Sequence, residues 1–172
     1  MGVKGNAILG LITLAAFIGC GLMAQAQESQ VDYDGFVDLS AEISDYRSSR
    51  LVDLDTFNEM KADSDTIILD TRSAEAYRLG HIDGAAHLNF SDFTDDKLAQ
   101  LIPSKDTRIL IYCNNNFTDS VAPVPVKRIE LALNVPTFIN LYGYGYENIY
   151  ELDGAYPLAE PAIHWVGEVS PL

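Results

Sequence analysis

Residues 108–119 read Arg108-Ile109-Leu110-Ile111-Tyr112-Cys113-Asn114-Asn115-Asn116-Phe117-Thr118-Asp119. An apolar run of this length, rich in Ile and followed by Asn and Asp, predicts a buried core strand and then a loop. In open α/β sheets, ligands bind beyond the carboxyl ends of such strands. The pattern therefore puts Cys113 where a reactive group is expected, although a buried cysteine also serves as a small apolar core residue.

Similar strands recur along the chain, and helices separate them. The run Thr66-Ile67-Ile68-Leu69-Asp70 is a second buried strand; Ser73 then caps a helix that Gly80 closes. Shorter strands are predicted at 50–52, 85–88 and 148–152. Strands that alternate with helices imply right-handed crossovers. We therefore predict an α/β fold with a central parallel sheet of about five strands, flanked by helices.

Helix signals occur between these strands and at both ends of the fold. Apolar residues at spacings of three and four mark a short amphipathic helix, at Phe36, Leu39, Ile43 and Tyr46. Asp55 is expected to cap the next helix, and Ser91 or Thr94 to cap a helix that ends at Leu101. Pro136 is expected to begin the last helix, since proline loses no hydrogen bond in a first turn.

Composition excludes several classes of protein. Of the 172 residues, 48% are hydrophobic and 10% aromatic, which excludes a disordered chain. The formal net charge is -14, and Lys127-Arg128 is the only adjacent basic pair. Because nucleic acids are bound through several phosphate contacts, nucleic acid is excluded as a partner.

Residues 1–26 have the pattern of a secretory signal peptide. Lys4 precedes an uncharged apolar stretch, and Ala24-Gln25-Ala26 forms a small-x-small cleavage site. We therefore expect an exported protein, periplasmic or secreted. Two alternatives bring in a membrane: lipidation at Cys20, and an uncleaved apolar anchor.

The predicted mature protein is an N-terminal extension, 27–49, with a short helix, followed by one domain, 50–172. Cleavage would remove Cys20 and leave Cys113 as the lone cysteine. Exported proteins usually pair their cysteines. A single remaining thiol therefore indicates a reactive group or pairing with another chain.

Four motifs, in chain order, resemble the rhodanese-like domain. They are Ile68-Leu69-Asp70-Thr71-Arg72-Ser73-Ala74-Glu75-Ala76-Tyr77, Gly80-His81-Ile82-Asp83-Gly84-Ala85, Ile111-Tyr112-Cys113 and Gly145-Tyr146-Glu147-Asn148-Ile149-Tyr150-Glu151-Leu152-Asp153-Gly154. The similarity spans about residues 50 to 157, and the ordered set is specific although each motif alone is weak. The resemblance implies the rhodanese-like fold and gives Cys113 the position of the catalytic cysteine.

The resemblance implies sulfur transfer. In this family the cysteine thiolate takes a sulfane sulfur from a small donor (thiosulfate, a persulfide or a polysulfide), holds it as a persulfide and passes it to a thiol or cyanide. It needs no metal or organic cofactor. Backbone N–H groups of the loop after the cysteine, with the N-terminus of the next helix, stabilise the sulfur anion. We expect this cradle at the amides of Asn114, Asn115, Asn116, Phe117, Thr118 and Asp119.

Three loop positions depart from related patterns. The family carries Gly three residues after the cysteine and often Arg five after it, where this chain has Asn116 and Thr118. Asn tolerates positive φ, so the backbone can still curl around an anion. The missing Arg weakens capture of an anionic donor by an acidic protein. Asp119, in the sixth position, would repel phosphate and argues against the phosphatases that share this fold.

The segment after the cysteine is longer than the family pattern. Residues 114–135 contain several prolines and are expected to form an extended insertion, a type of segment that often acts as a lid or binding loop. The insertion carries Lys127 and Arg128. These either take the place of the missing Arg over the site or form a solvated pair on a loop.

Other polar residues have structural and functional interpretations. Asp70 and Arg72, at a strand end, either line the pocket or form a supporting ion pair. His81 and His87 are expected to be structural. For the protein as a whole, three functions remain open: a sulfurtransferase, a persulfide carrier served by a protein donor, and an inactive binding or redox-sensing module that uses the insertion to contact a partner.

Overall fold

Five parallel strands form the central sheet, in the spatial order β1-β6-β5-β2-β4. They are β1 (Leu51–Val52), β2 (Thr66–Asp70), β4 (Ala86–His87), β5 (Arg108–Tyr112) and β6 (Ile149–Leu152). Two short strands, β3 (Gly80–Ile82) and β7 (Trp165–Gly167), pair antiparallel outside this sheet. The predicted α/β fold with a central parallel sheet is confirmed.

The computed structural model describes residues 1–2 and 28–167. The chain divides into two units, 1–32 and 33–172. In the described part of the first, the Val31 N–H donates to the Ser29 hydroxyl at 3.1 Å. The predicted signal peptide and Cys20 lie outside the described residues. No helix of the described ranges is long and apolar enough to cross a membrane.

Helices cover both faces of the sheet. They are α1 (Tyr33–Ser48), α2 (Leu54–Lys61), α3 (Ala74–Leu79), α4 (Asp95–Leu101) and α5 (Asn134–Gly143). Alternate residues of β5 face opposite sides, as the strand geometry requires. Leu110 and Tyr112 pack with the core around Phe57 of α2, whereas Ile109 and Ile111 pack with the core around Phe138 of α5. Both faces of β5 are therefore buried. Because β5 is the central strand, its carboxyl end lies in the middle of that edge of the sheet.

Side-chain caps begin three of the helices. Ser73 caps α3 and Thr94 caps α4, each by accepting a backbone N–H, as predicted. Asp53, not Asp55, caps α2, because its carboxylate accepts the Thr56 N–H at 2.9 Å. The last helix begins at Asn134, two residues before the expected Pro136. This small shift moves the start of α5 towards the cysteine loop.

Helix α1 belongs to the same unit as the sheet, although the sequence assigned it to an extension ending at residue 49. Its Tyr46 ring packs against Phe138 and Tyr142 of α5, with centroids 6.4 and 5.4 Å apart. Arg47, one residue later, reaches across to Glu151 of β6. The domain therefore begins at Tyr33, and α1 brings a charge to the sheet edge.

Candidate active site at Cys113

Cys113 follows β5 directly and has an extended backbone, with φ of -145°. Residues Asn114–Asn116 then form one turn of 3-10 helix. Asn116 fixes this turn: its Oδ1 accepts the Cys113 N–H at 2.9 Å, and its Nδ2 donates to the Leu152 and Gly154 carbonyls at 2.7 and 3.0 Å. A side chain thus holds the loop against the neighbouring strand β6.

Backbone amides from two segments converge on the sulfur. The backbone N–H groups of Asn134, Asn115 and Leu133 lie close enough to the Cys113 sulfur to lower its pKa. Asn115 lies in the predicted cradle, while Leu133 and Asn134 form the start of α5. Sequence reasoning named the helix N-terminus as part of the cradle but missed these two residues, since Pro136 was taken as the start of the helix.

The later loop residues serve other purposes. The N–H groups of Asn116, Phe117 and Thr118 donate to the carbonyls of Cys113, Asn114 and Tyr156, at 3.0 to 3.1 Å. The amides of Phe117 and Thr118, which were expected in the cradle, therefore donate to carbonyls of the turn and of Tyr156, whereas the Asn116 N–H also lies against the Cys113 side chain. The carboxylate of Asp119 accepts the Leu158 N–H at 2.7 Å, so this residue anchors the insertion to the C-terminal segment.

The thiol is buried, with 1% of Cys113 exposed. Burial raises the pKa of Cys113, and the three backbone N–H groups only partly oppose it. The nearby Glu151 carboxylate raises this pKa further. In the closed structure the sulfur is therefore held mainly as the neutral thiol, in contrast to the thiolate that the amide cradle alone predicts.

Glu151 belongs to a buried polar network beside the sulfur. Its two carboxylate oxygens accept from Arg47 Nε and Nη2, both at 2.7 Å. The Asn134 amide donates to the same carboxylate at 3.2 Å and to Asn116 Oδ1 at 3.1 Å. The network thus joins α1, the start of α5, the cysteine turn and β6. The paired guanidinium of Arg47 limits the negative charge that Cys113 experiences.

Asp70 and Arg72 form a buried ion pair at the end of β2, with Nη2 and Oδ2 2.5 Å apart. The Tyr112 hydroxyl donates to Asp70 at 2.6 Å, and Arg72 Nη2 also donates to the Gly80 carbonyl at 2.7 Å. The supporting ion pair expected from the sequence is present. The two charges neutralise each other, whereas the buried Arg72 Nη1 has no hydrogen-bond partner among the described residues.

The insertion lies against the cysteine turn through side-chain amides. Asn115 Nδ2 donates to the Lys127 carbonyl at 2.8 Å, and the Lys127 N–H donates to Asn115 Oδ1 at 3.1 Å. Asn114 Nδ2 donates to the Pro125 carbonyl at 3.1 Å. We call residues 117–133 the strap. Two neighbouring asparagines therefore fasten the strap beside the thiol.

A cavity of about 250 Å³ lies between the strap, the cysteine turn and the start of α3. Residues of all three segments line it, among them Arg72, Asn114, Asn115, Pro125, Lys127 and Leu133. Three of these, Asn114, Asn115 and Leu133, are also the immediate surroundings of Cys113. Of the predicted basic pair, both residues are exposed, but Lys127 lines the cavity and Arg128 does not; Arg128 precedes a 3-10 turn, Ile129–Leu131.

The histidines have structural contacts. His81 Nδ1 lies 2.8 Å from the Tyr77 carbonyl, and its ring stacks on Tyr77 with centroids 4.0 Å apart. His87 Nε2 lies 2.9 Å from the Arg72 carbonyl. Within residues 28–167 no group of three or more His, Cys, Asp and Glu side chains is placed to hold a metal ion.

The fold is a three-layer α/β domain with a five-stranded parallel sheet. Its cysteine follows the central strand and lies close to backbone amides at the start of the next helix. The family model for the rhodanese-like domain matches residues 53–158. The chain therefore belongs to the rhodanese-like family.

Individual relatives are more distant. A tRNA uridine(34) hydroxylase of Bdellovibrio bacteriovorus is 32% identical over 98 residues, which are 55% of this chain and 23% of that protein. The chain thus spans less than a quarter of the length of this relative.

Solved structures with a similar arrangement include the BH2092 protein of Bacillus halodurans, with 20% identity and a TM-score of 0.45, covering 69% of this chain and 77% of that one. A single-domain sulfurtransferase of Saccharomyces cerevisiae has 11% identity and a TM-score of 0.42, covering 62% and 84%.

Proposed function

We propose that the protein is a sulfurtransferase or persulfide carrier in which Cys113 accepts a sulfane sulfur and passes it to a thiol. The observation that carries this proposal is the convergence of three backbone N–H groups, those of Asn115, Leu133 and Asn134, on the Cys113 sulfur. Fixed N–H dipoles at a helix start favour an anion at this position. The same donors serve a thiolate and the terminal sulfur of a persulfide.

The transfer takes place in two displacements. The Cys113 thiolate attacks the outer sulfur of thiosulfate; a new S–S bond forms, the S–S bond of the donor breaks, and sulfite leaves with the electron pair. An acceptor thiolate then attacks the outer sulfur of the persulfide. This step forms the acceptor persulfide and returns Cys113 as a thiolate, so both steps balance without a further oxidant or reductant.

Access to the sulfur requires the strap to move. Cys113 is almost fully buried, and its neighbours Asn114 and Asn115 are among the residues that line the cavity. Their side chains donate two hydrogen bonds and accept one, which hold the strap at Pro125 and Lys127, and two of the three are exposed to solvent. Exposed hydrogen bonds of this kind are replaced by water at a small cost, which makes opening on the timescale of loop motion feasible.

We further propose that the protein acts outside the cytoplasm, on the strength of the signal-peptide pattern in residues 1–26. A lone thiol then needs protection from oxidation, and its burial under the strap provides it. N-terminal sequencing of the protein from its own host tests this step. A start at Gln27 supports cleavage after Ala26, and a start at Met1 or a lipidated Cys20 contradicts it.

The second candidate is an inactive rhodanese-like module that binds a partner or senses oxidants. Burial and the raised pKa of Cys113 favour it, because structural buried thiols are unreactive. Exposed apolar side chains of the strap, Val126, Ile129 and Leu131, offer such a module a contact surface.

Intact mass spectrometry separates the candidates. The purified protein is incubated with thiosulfate, polysulfide or a low-molecular-weight persulfide, and peptide mapping locates any added sulfur. Sulfur transfer predicts one added sulfur atom at Cys113, its absence in Cys113→Ser, and its removal by a thiol acceptor. If no donor loads Cys113 while an alkylating agent still reaches it, the sulfur-transfer proposal fails and the binding module remains.

A further inference from the structure

We propose that Lys127 binds the anionic group of the sulfur donor in the cavity beside Cys113, and that Asn115 positions it there. The inference rests on the proposed function and adds a donor-binding residue to it. The Thr118 N–H donates to the Tyr156 carbonyl, and its side chain brings no charge to the site. The strap contributes a cation to the cavity lining through Lys127.

The cavity has the size and lining of a small-molecule site. Its volume of about 250 Å³ suits a donor of few heavy atoms, and its walls combine apolar Pro125 and Leu133 with polar Asn114 and Asn115. The Leu133 N–H also lies close to the Cys113 sulfur. A donor in the cavity is therefore one residue away from the reactive atom.

Lys127 is the cation that is available in this cavity. Arg72 also lines it and has a buried Nη1 without a hydrogen-bond partner among the described residues, but its charge is neutralised by Asp70. Within the part of the chain that the structure describes, Lys127 has no carboxylate within ion-pair distance. In a chain of net charge -14, a lining residue whose positive charge has no ion-pair partner attracts anions to the cavity.

Asn115 connects this cation to the sulfur. Its side-chain amide bonds both the N–H and the carbonyl of Lys127, which fixes the Lys127 backbone in the cavity wall. Its own backbone N–H lies close to the Cys113 sulfur. When the strap closes over a bound donor, one residue thus sets the position of the donor anchor relative to the nucleophile. A different side chain at 115 would disturb the anchor while leaving the backbone N–H in place.

Arg128 provides a matched control. It carries the same charge as Lys127, is adjacent to it, is exposed, and is not part of the cavity lining. Lys127→Gln and Arg128→Gln change the net charge by the same amount. An effect of general electrostatics on anions appears in both variants, whereas an effect of the cavity anchor appears only in the first.

The first test uses alkylation of Cys113 by iodoacetate, an anion, and by neutral iodoacetamide, with mass spectrometry to measure both rates. We expect the ratio of the two rates to fall in Lys127→Gln by roughly three- to tenfold at low ionic strength and to stay within about 1.5-fold of the wild type in Arg128→Gln. Added thiosulfate should slow alkylation of the wild type more than that of Lys127→Gln. Equal ratios in Lys127→Gln and the wild type, or equal falls in both variants, would overturn the proposal.

The second test separates this inference from the proposed function. Thiosulfate should load Cys113 in Asn115→Ala with a KM raised by roughly threefold or more and an unchanged kcat, since positioning of the donor and not the chemistry is lost; Asn115→Gln should recover part of the affinity. A reduced kcat at unchanged KM contradicts the positioning role. If no donor loads Cys113 in any variant, the proposed function fails, while the alkylation ratio still decides whether Lys127 attracts anions.

Discussion

The adjacent strands β2 and β5 end in different polar groups, an ion pair after β2 and a buried thiol after β5. At the end of β2, Asp70 and Arg72 pair with each other, and the Tyr112 hydroxyl donates to Asp70. At the end of β5, three backbone N–H groups lie at the Cys113 sulfur, and the nearby charged side chain of Glu151 is a carboxylate. The first arrangement is closed and structural. At the second, burial and Glu151 favour the neutral thiol while the backbone amides favour the anion, so small changes around the sulfur alter its reactivity.

The largest expected effect is on the free energy of unfolding and comes from removing Arg72, at the end of β2. Arg72→Ala leaves the Asp70 carboxylate buried without its partner, and we expect a loss of about 3–5 kcal/mol in the free energy of unfolding. Urea unfolding monitored by circular dichroism measures it. Arg128→Ala, an exposed arginine, serves as the control and should change stability by less than about 0.5 kcal/mol. Similar losses in the two variants would mean that the β2 end is not held by its ion pair.

The next largest effect concerns Arg47 of α1, which pairs with Glu151 beside Cys113. Arg47→Ala leaves Glu151 unpaired; because the Arg47 side chain is 35% exposed, we expect a smaller loss, about 1–2 kcal/mol. The unpaired carboxylate should also raise the pKa of Cys113 further. Unfolding and the pH dependence of iodoacetamide alkylation measure the two effects. A lower Cys113 pKa in this variant would contradict the role given to Glu151.

Removing the Glu151 carboxylate should have the opposite effect on the pKa of Cys113 from removing Arg47. In Glu151→Gln the pKa of Cys113 falls, because a nearby negative charge no longer opposes the thiolate. At neutral pH we expect alkylation to accelerate by roughly twofold to fivefold. Glu147→Gln removes the same charge from an exposed position and should leave the rate unchanged. An unchanged rate in Glu151→Gln as well would remove the carboxylate as a cause of the raised pKa.

The smallest effect is a loss of stability at alkaline pH. Burial raises the folded-state pKa of Cys113, so its contribution is complete below the unfolded-state pKa, about 8.5, and is lost as the pH rises from there through the folded pKa. Between pH 8 and 10 we expect the wild type to lose up to about 1 kcal/mol more than Cys113→Ala. Urea unfolding across this range tests the difference, and parallel losses in the two proteins would refute it.

The sequence predicts the sheet and its helices because their signals are local. The alternation of apolar runs and capped helices needs no knowledge of distant residues, and Ser73 and Thr94 begin helices as expected. The sequence alone did not predict the protonation state of Cys113. Its amide donors at Leu133 and Asn134 lie about twenty residues away in the chain, beyond an insertion whose path has no repeating pattern.

The charge balance around the sulfur was equally beyond the sequence. Glu151 stands in an apolar strand, and nothing in the sequence indicates that Arg47, 104 positions away, pairs with it. The same holds for the division of roles in the basic pair: only the path of the strap puts Lys127 in the cavity wall and leaves Arg128 outside. Such long-range pairs depend on the packing of complete helices.

The contact of α1 with β6 has a consequence for anyone who trims this domain. A fragment cut to the family match, 53–158, would omit Arg47 together with β1, and would leave the outer edge of β6 without a neighbour. Unpaired strand edges promote aggregation. Expression from Tyr33 keeps both the edge strand and the counter-ion, so soluble material from that start and insoluble material from residue 53 is the expected outcome.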